Sequence, residues 1–575
     1  MANNSPKKGR YTQYPNKIGL FNTSKGNFIK NDNDVVLSFP FKDAVLEAGM
    51  SKEDVGRDER FLHQTLDSKD IDTLEEPKVL TDFRLIDKDG EKGLTANSDI
   101  EFFDEKGNLK QNLLIKGNNL LVLYTLRERL AGKVKLIYID PPYNTKGAND
   151  IFTYNNSFSH SAWLTFMKNR LEVAHEMLRN DGFIAITIDH VELFYLGALA
   201  DEVFGAENRI GVVTILINPK GRQHEKFFSA STEYMLVYAK DISKAEFEQV
   251  TIDDEIAQTF DQQDEQGKFR WESFARIRTS TSREAKPAFY YPIFVSRDLQ
   301  HITTDNIDGY TPVYPVSNGK DYSWKTKSDT FIKRLASGQY RAFKNENGEL
   351  EIQHKYAEQQ VLKNLWTDKK YFPEFQGTNL LKKIVGEGKF SYPKSLYAVM
   401  DTVKLMSSGD DIVLDFFAGS STTGHAVLEL NAIDEENRRF ILAEQIEKHY
   451  DVSLERITKV TKSLDSNAQT VCFELKKYNQ EYIDAITEAA SIKELENLYV
   501  DMRNNAFLKF WFDRAEFEKD EDFRKLDLDG RKQALVDILD ENQLYLNYAD
   551  MNDTRHEVSV DEKELTNRFY GENEN

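Results

Sequence analysis

Residues 136–143 read Leu-Ile-Tyr-Ile-Asp-Pro-Pro-Tyr, a short apolar run that delivers a carboxylate, two prolines and an aromatic ring to one spot. As a strand of an open α/β sheet, the run puts Asp140, Pro141, Pro142 and Tyr143 at its carboxyl end, where such sheets bind ligands. Proline fixes φ and carries no N–H, so the Pro141 carbonyl is held in place with no donor competing beside it. An exocyclic amine on a flat ring could give one hydrogen to Asp140 and one to that carbonyl, while Tyr143 stacks on the ring face. A surface turn after a buried strand uses Asp-Pro-Pro as ordinary punctuation, so the tetrapeptide alone leaves both readings open.

Residues 411–424, Asp-Ile-Val-Leu-Asp-Phe-Phe-Ala-Gly-Ser-Ser-Thr-Thr-Gly, read as a second buried strand that ends on an acid and enters a small-residue loop. A helix is expected over 425–431. Small residues let the backbone approach a ligand closely, and free N–H groups at a helix start suit a carboxylate or phosphate. The phosphate-loop pattern Gly-x-x-x-x-Gly-Lys-Ser/Thr is absent from the chain. Residues 438–444, Arg-Arg-Phe-Ile-Leu-Ala-Glu, predict a third strand ending on Glu444. Its distance from the loop somewhat exceeds the spacing of about twenty at which a dinucleotide fold places its ribose-binding acid. Strand, glycine loop, helix, strand and acid describe a nucleoside-cofactor half-site, a rhythm that a structural βαβ unit can share.

The two elements together resemble the amino-methyltransferases of DNA, which pair Asp/Asn/Ser-Pro-Pro-Tyr/Phe with Asp-x-Phe-x-Gly-Ser-Gly-Thr. Catalytic motif first and cofactor motif last is the order of that family's β group. Trp163-Leu164, Arg170-Leu171, Asn180-Asp181-Gly182 and Tyr392-Pro393-Lys394-Ser395-Leu396 extend the likeness, over roughly residues 100–475, to the modification (Mod) subunits of type III restriction-modification systems. The resemblance implies a Rossmann-like α/β methyltransferase domain that uses S-adenosylmethionine to methylate adenine N6 in double-stranded DNA, with the base swung out of the duplex. Aspartate at the first motif position goes with adenine, and serine there usually with cytosine. It also implies that Asp415, Phe417, Ala418 and Gly419 line the methionine part of the cofactor and Glu444 the ribose. Ser420 and Thr422 complete that set, although Thr422, like Thr423, could simply cap the helix. A second copy of the chain and an ATP-dependent Res nuclease are the implied partners. Phe416 stands where many relatives have Pro, Ser421 where many have Gly, and Asn118-Asn119 where Gly-Asp-Asn is frequent.

Composition fits a cytoplasmic enzyme, with no signal peptide or apolar run of membrane-spanning length. Cys472 is the only cysteine of the 575 residues, which excludes an internal disulfide and a cysteine-ligated zinc site, so metal-free chemistry is expected. The formal charge of −21 is the wrong sign for a chain that grips phosphates, but it is unevenly spread. Residues 481–575 hold 25 acidic against 12 basic residues, a net −13, whereas 220–394 hold 27 basic against 25 acidic, a net +2.

Five regions are expected. Residues 1–99 form an arm and, over 44–69, a helical interaction element; 100–217 form the catalytic half, with helices at 118–130, 163–180 and 192–204 and strands at 136–140 and 183–189. A polar loop follows Tyr143 and is long enough for a lid. The resemblance places a target-recognition domain at 218–386, where Lys220, Arg222, Arg276, Arg278 and Arg283 are candidates for base edges and phosphates. The cofactor half is 387–475. The acidic helical region 476–575 either docks a partner chain or caps the catalytic domain. Competing functions are an N4-cytosine methyltransferase, a nuclease or translocase subunit, disfavoured by the missing phosphate loop, and a non-catalytic recognition or assembly subunit, disfavoured by the intact Asp140-Pro141-Pro142-Tyr143.

Overall fold

A computed structural model describes residues 75–144, 159–221, 227–265, 267–358, 362–508, 517, 521–539 and 544–571, together with four short strand segments at 21–22, 27–28, 45–47 and 60–62. Residues 249–362 form one compact unit, and the remainder forms another built on an eleven-stranded sheet. Its strands in chain order are β1 (Leu80–Asp87), β2 (Gly90–Gly93), β3 (Asn112–Lys116), β4 (Val134–Ile139), β5 (Leu178–Ile188), β6 (Arg209–Leu216), β7 (Thr232–Ala239), β8 (Leu365–Trp366), β9 (Ile412–Asp415), β10 (Arg439–Glu444) and β11 (Thr470–Leu475). The spatial order is β8-β6-β7-β5-β4-β9-β10-β3-β11-β1-β2. From β5 to β11 all neighbours run parallel, and β7 and β1 flank that block antiparallel. Every residue of β4 and β9 is buried, which is why both are mostly apolar; the exception inside β4, Lys135, pairs with Asp181 at 2.9 Å.

The helices beside this sheet are α1 (Asn119–Leu130), α2 (His160–Met177), α3 (Leu193–Phe204), α4 (Leu396–Met406), α5 (Thr422–Asp434) and α6 (Glu447–Ser463). Side-chain oxygens start two of them: Asn118 accepts from Leu120 N, and Ser159 accepts from Ala162 N. The chain passes from β3 through α1 to β4, while β9 and β10, from far later in the sequence, fill the gap between those two strands. Val413 therefore lies opposite Leu136, and Leu414 opposite Ile137. Such a reversal of strand order opens a crevice at the carboxyl ends of the strands. At Gly424 on α5 a Cβ would stand 2.8 Å from the terminal methyls of both Ile457 and Leu442, so glycine lets this helix seat between β10 and α6 without those side chains moving aside.

The unit 249–362 has its own core, in which Phe274, Trp324, Phe331 and Tyr340 pack against Ile293, Val295 and Ile352. It lies inside the expected 218–386 window. The flanks of that window belong to the main sheet instead, since β7 and β8 are sheet strands.

Three expectations need correction. The described parts of 44–69 are not helical: Val45–Glu47 and Arg60–Leu62 pair as antiparallel strands. Nor does the N-terminal region stop short of the sheet, because β1 and β2 extend it. In β1, Leu80, Phe83, Leu85 and Ile86 are buried, with polar residues between them. The acidic region is also not one appendage. Its helices α7 (Asn479–Glu488), α8 (Ile492–Asn505) and α9 (Leu528–Asp537) share a core of Ile486, Leu495, Met502 and Leu535, but α10 (Val560–Tyr570) completes the main one. Phe569 packs edge-on against Phe102 at 5.4 Å, and the Thr566 hydroxyl donates to Leu80 O at 3.1 Å. This favours the cap reading. Residues 509–516, 518–520 and 540–543 of the acidic helical region lie outside the described residues, as do most of the arm and most of the polar loop after Tyr143.

Candidate active site

Asp140 is the first residue past β4. Thr187, on the neighbouring strand β5, donates its hydroxyl to Asp140 Oδ1 at 2.7 Å, and Lys394 Nζ lies 3.3 Å from the same oxygen. The turn that follows is pinned by Trp163, whose indole N–H donates to Pro142 O at 2.8 Å. Asn144, in the left-handed region at φ +55°, gives its amide to the buried Glu192 at 2.6 Å. The Tyr143 hydroxyl donates to Glu233 Oε2 (3.3 Å) and accepts from Lys394, which also reaches Glu233 at 2.5 Å. Burial and the charges of Asp140 and Glu233 push the Tyr143 hydroxyl well above its ordinary value, so it stays protonated. Burial works against the Lys394 ammonium, yet the same two carboxylates hold it above the usual lysine value.

On the adjacent strand β9, Asp415 is fixed by the Phe417 N–H at 3.0 Å and the Thr423 hydroxyl at 2.6 Å. The loop then turns through two left-handed residues, Gly419 at φ +54° and Ser421 at φ +57°. A Cβ on Gly419 would stand 3.2 Å from the Phe390 ring, so the backbone is bare where the loop faces the cleft. Glu444, at the end of β10, accepts from Gly419 N (2.8 Å) and Ile446 N (2.9 Å). Burial lifts the carboxyls of Asp415 and Glu444 to about 7 each. Beneath the loop the buried Arg456 donates to Ser420 O at 3.0 Å and to the Thr422 hydroxyl at 2.9 Å, and Asn119 holds Phe416 O at 3.0 Å.

Asp140, Pro142, Asp415, Phe417, Ala418, Gly419, Ser420, Thr422 and Glu444 thus line one cleft, while Tyr143 stands behind it through Lys394. Among the polymer-contact candidates, Lys220, Arg276 and Arg278 are exposed. Arg283 is engaged, paired with Asp321 at 3.0 Å and lying over the Tyr290 ring, and Arg222 falls outside the described residues. Sequence reasoning gave no role to Thr187, Glu233, Lys394, Asn119, Phe390 or Arg456. Two of them carried a signal, Lys394 by its place in the Tyr-Pro-Lys-Ser-Leu run and Asn119 by its place in the Asn118-Asn119 pair.

Residues 134–455 match the family model N6_N4_Mtase, described as DNA methylase, and the chain belongs to this family. It is 27% identical to the probable type III restriction-modification enzyme HindVI Mod subunit of Haemophilus influenzae, over 97% of this chain and 88% of that one. It is 34% identical to the type III restriction-modification enzyme EcoPI Mod subunit of Escherichia phage P1, over 64% of each chain. To the type II methyltransferase M.KpnI of Klebsiella pneumoniae the identity is 30%, over 62% of this chain and 86% of that one. The protein is a DNA methyltransferase with a Rossmann-like α/β catalytic domain.

Proposed function

We propose that this methyltransferase moves a methyl group from S-adenosylmethionine to the N6 amine of adenine in double-stranded DNA, as the modification and recognition subunit of a type III restriction-modification system. The observation that carries the reading is the adjacency of β4 and β9, which gives Asp140 and the 415–420 loop one shared cleft. S-adenosylmethionine supplies an electrophilic methyl on a sulfonium. The residues fit it: Gly419 leaves its backbone bare beside Phe390, and the buried Glu444 is an acid suited to ribose hydroxyls. Asp415, Phe417, Ala418, Ser420 and Thr422 line the rest.

Adenine's amine is a poor nucleophile because its lone pair is delocalised into the ring. Asp140 accepts one of its hydrogens and the Pro141 carbonyl the other, which localises the lone pair on nitrogen. Alignment supplies much of the rate, and the Asp140 carboxylate stabilises the positive charge that develops on the methylated nitrogen. The base leaves the duplex to reach this cleft. Recognition falls to the unit 249–362, where Arg276 and Arg278 are exposed, with Lys220 a further contact. The type III assignment follows the names of the HindVI and EcoPI relatives. It brings with it a second copy of the chain, an ATP-dependent Res partner and a cytoplasmic setting.

Expression in a host without DNA methylation, followed by mass spectrometry of hydrolysed DNA, tests the target. N6-methyladenine is expected, and Asp140→Ala should abolish it while cofactor affinity changes by no more than about threefold. N4-methylcytosine alone would overturn the choice of base, and full activity in Asp140→Ala would overturn the mechanism.

A further inference from the structure

We propose that Lys394, braced by Glu233, is a positioning residue that turns Asp140 so that one carboxylate oxygen is anchored and the other is presented to the amine. The inference deepens the reading above, in which Asp140 accepts the amine hydrogen. Thr187 at 2.7 Å and Lys394 at 3.3 Å both address Oδ1, and among the described residues no donor reaches Oδ2. A carboxylate held by one oxygen from two directions cannot swing, so Oδ2 faces a fixed direction.

The brace comes from three places in the chain. Glu233 sits on β7, Asp140 follows β4, and Lys394 precedes α4. The Lys394 and Glu233 side chains are only 11% and 6% exposed, and lysine and glutamate are rarely buried so deeply unless paired. Neutralising Glu233 needs only the 2.5 Å contact to its carboxylate, yet the ammonium also donates to the Tyr143 hydroxyl and approaches Asp140. One cation therefore holds the acid, the Tyr143 hydroxyl at the far side of the Pro141-Pro142 turn, and Glu233 on β7. It also offsets the repulsion of two carboxylates gathered at one point.

The test separates positioning from charge balance in the full-length protein. Lys394→Met, Lys394→Arg, Glu233→Gln and the double variant Lys394→Met/Glu233→Gln are assayed for methyl transfer to unmethylated plasmid DNA, with cofactor affinity measured by calorimetry. Lys394→Met should lower kcat by about 100-fold, the scale of losing a preorganised charged group, with DNA KM and cofactor Kd within about threefold. Lys394→Arg should recover part of the loss. The double variant buries no uncompensated carboxylate and so folds even where Lys394→Met does not, yet its kcat should stay more than about 30-fold down. A double variant within about threefold of wild type would overturn the proposal, leaving Lys394 as a neutraliser of Glu233. A product of N4-methylcytosine would instead overturn only the choice of base, because the same rates are read on whichever amine is methylated.

Discussion

Acidification should loosen the cofactor while it tightens the empty protein; Glu444 should carry the first effect and share the second with Asp415. Burial raises its carboxyl from 4.5 to about 7, against the opposing hydrogen bonds of Ile446 and Gly419. That gap corresponds to about 3 kcal/mol of preference for the neutral form. In the empty protein a raised value means that the folded state holds the proton more tightly than the unfolded chain. The resulting stability is present below about pH 4.5 and is lost as pH rises through about 7, at up to about 1.4 kcal/mol per pH unit. Binding has the opposite sign, because ribose hydroxyls donate to a carboxylate and not to a neutral acid. Cofactor Kd should therefore rise by up to about tenfold per pH unit below 7, and calorimetry near pH 6 in buffers of unlike ionisation enthalpy should register about one proton released. His449, 3.9 Å from Glu444 Oε1, is held down to about 4 by burial and stays neutral throughout this window. Glu444→Gln should flatten the binding slope and remove about half of the stability slope, the rest belonging to Asp415, which burial also lifts to about 7; it should weaken binding by about 1.5–3 kcal/mol, the worth of hydrogen bonds to a charged group. A Kd unchanged from pH 8 to 5.5, with Glu444→Gln binding like wild type, would refute the placement of the cofactor.

Three further outcomes are expected. Gly419→Val puts a branched side chain at φ +54° against Phe390, and the strain of about 1–3 kcal/mol should raise cofactor Kd by roughly 10- to 100-fold in calorimetry. Ser421 holds a left-handed conformation at φ +57° that glycine adopts freely, so Ser421→Gly should raise the denaturation midpoint, by about 1 kcal/mol of stability or slightly more. Removing residues 492–575 takes away α10 with the buried Leu565 and Phe569, and the truncated chain should fail to melt cooperatively by circular dichroism; Phe569→Ala alone should cost about 3–5 kcal/mol.

What was legible from residue order alone were the parts whose chemistry is local. Buried parallel strands announce themselves as mostly apolar runs with an acid at or just past the end, so β4, β9 and β10 fall within a residue or two of their expected bounds. The departure at Ser421 from the resembled motif's glycine was also visible, though not its meaning: the loop turns left-handed there, a conformation that glycine adopts freely. The flanking strands were not legible. In β1 a charged residue falls between the buried Phe83 and Leu85, and the paired strands Val45–Glu47 and Arg60–Leu62 sit in a charged stretch whose spacing mimics a helix. The braces on Asp140 were hidden for another reason. Thr187, Glu233 and Lys394 lie 47, 93 and 254 positions from it, and only the strand order brings them to one oxygen or one nitrogen.

That strand order also explains how two motifs so far apart can serve one reaction. β4 and β9 are hydrogen-bonded neighbours, so the distance between the amine site and the methyl-donor loop is set by a parallel ladder rather than by the chain between them. The intervening residues are free to build a separate unit at 249–362 with its own aromatic core, provided the chain leaves from β7 and re-enters at β8. On the proposed assignment of recognition to that unit, specificity and chemistry vary independently. Exchanging 249–362 for the corresponding unit of a relative should change the DNA sequence that is methylated, read by sequencing modified bases, and leave the methylated atom unchanged. An exchange that alters the base while keeping the sequence would mean that the target pocket is set by the inserted unit, and not by Asp140 and its braces.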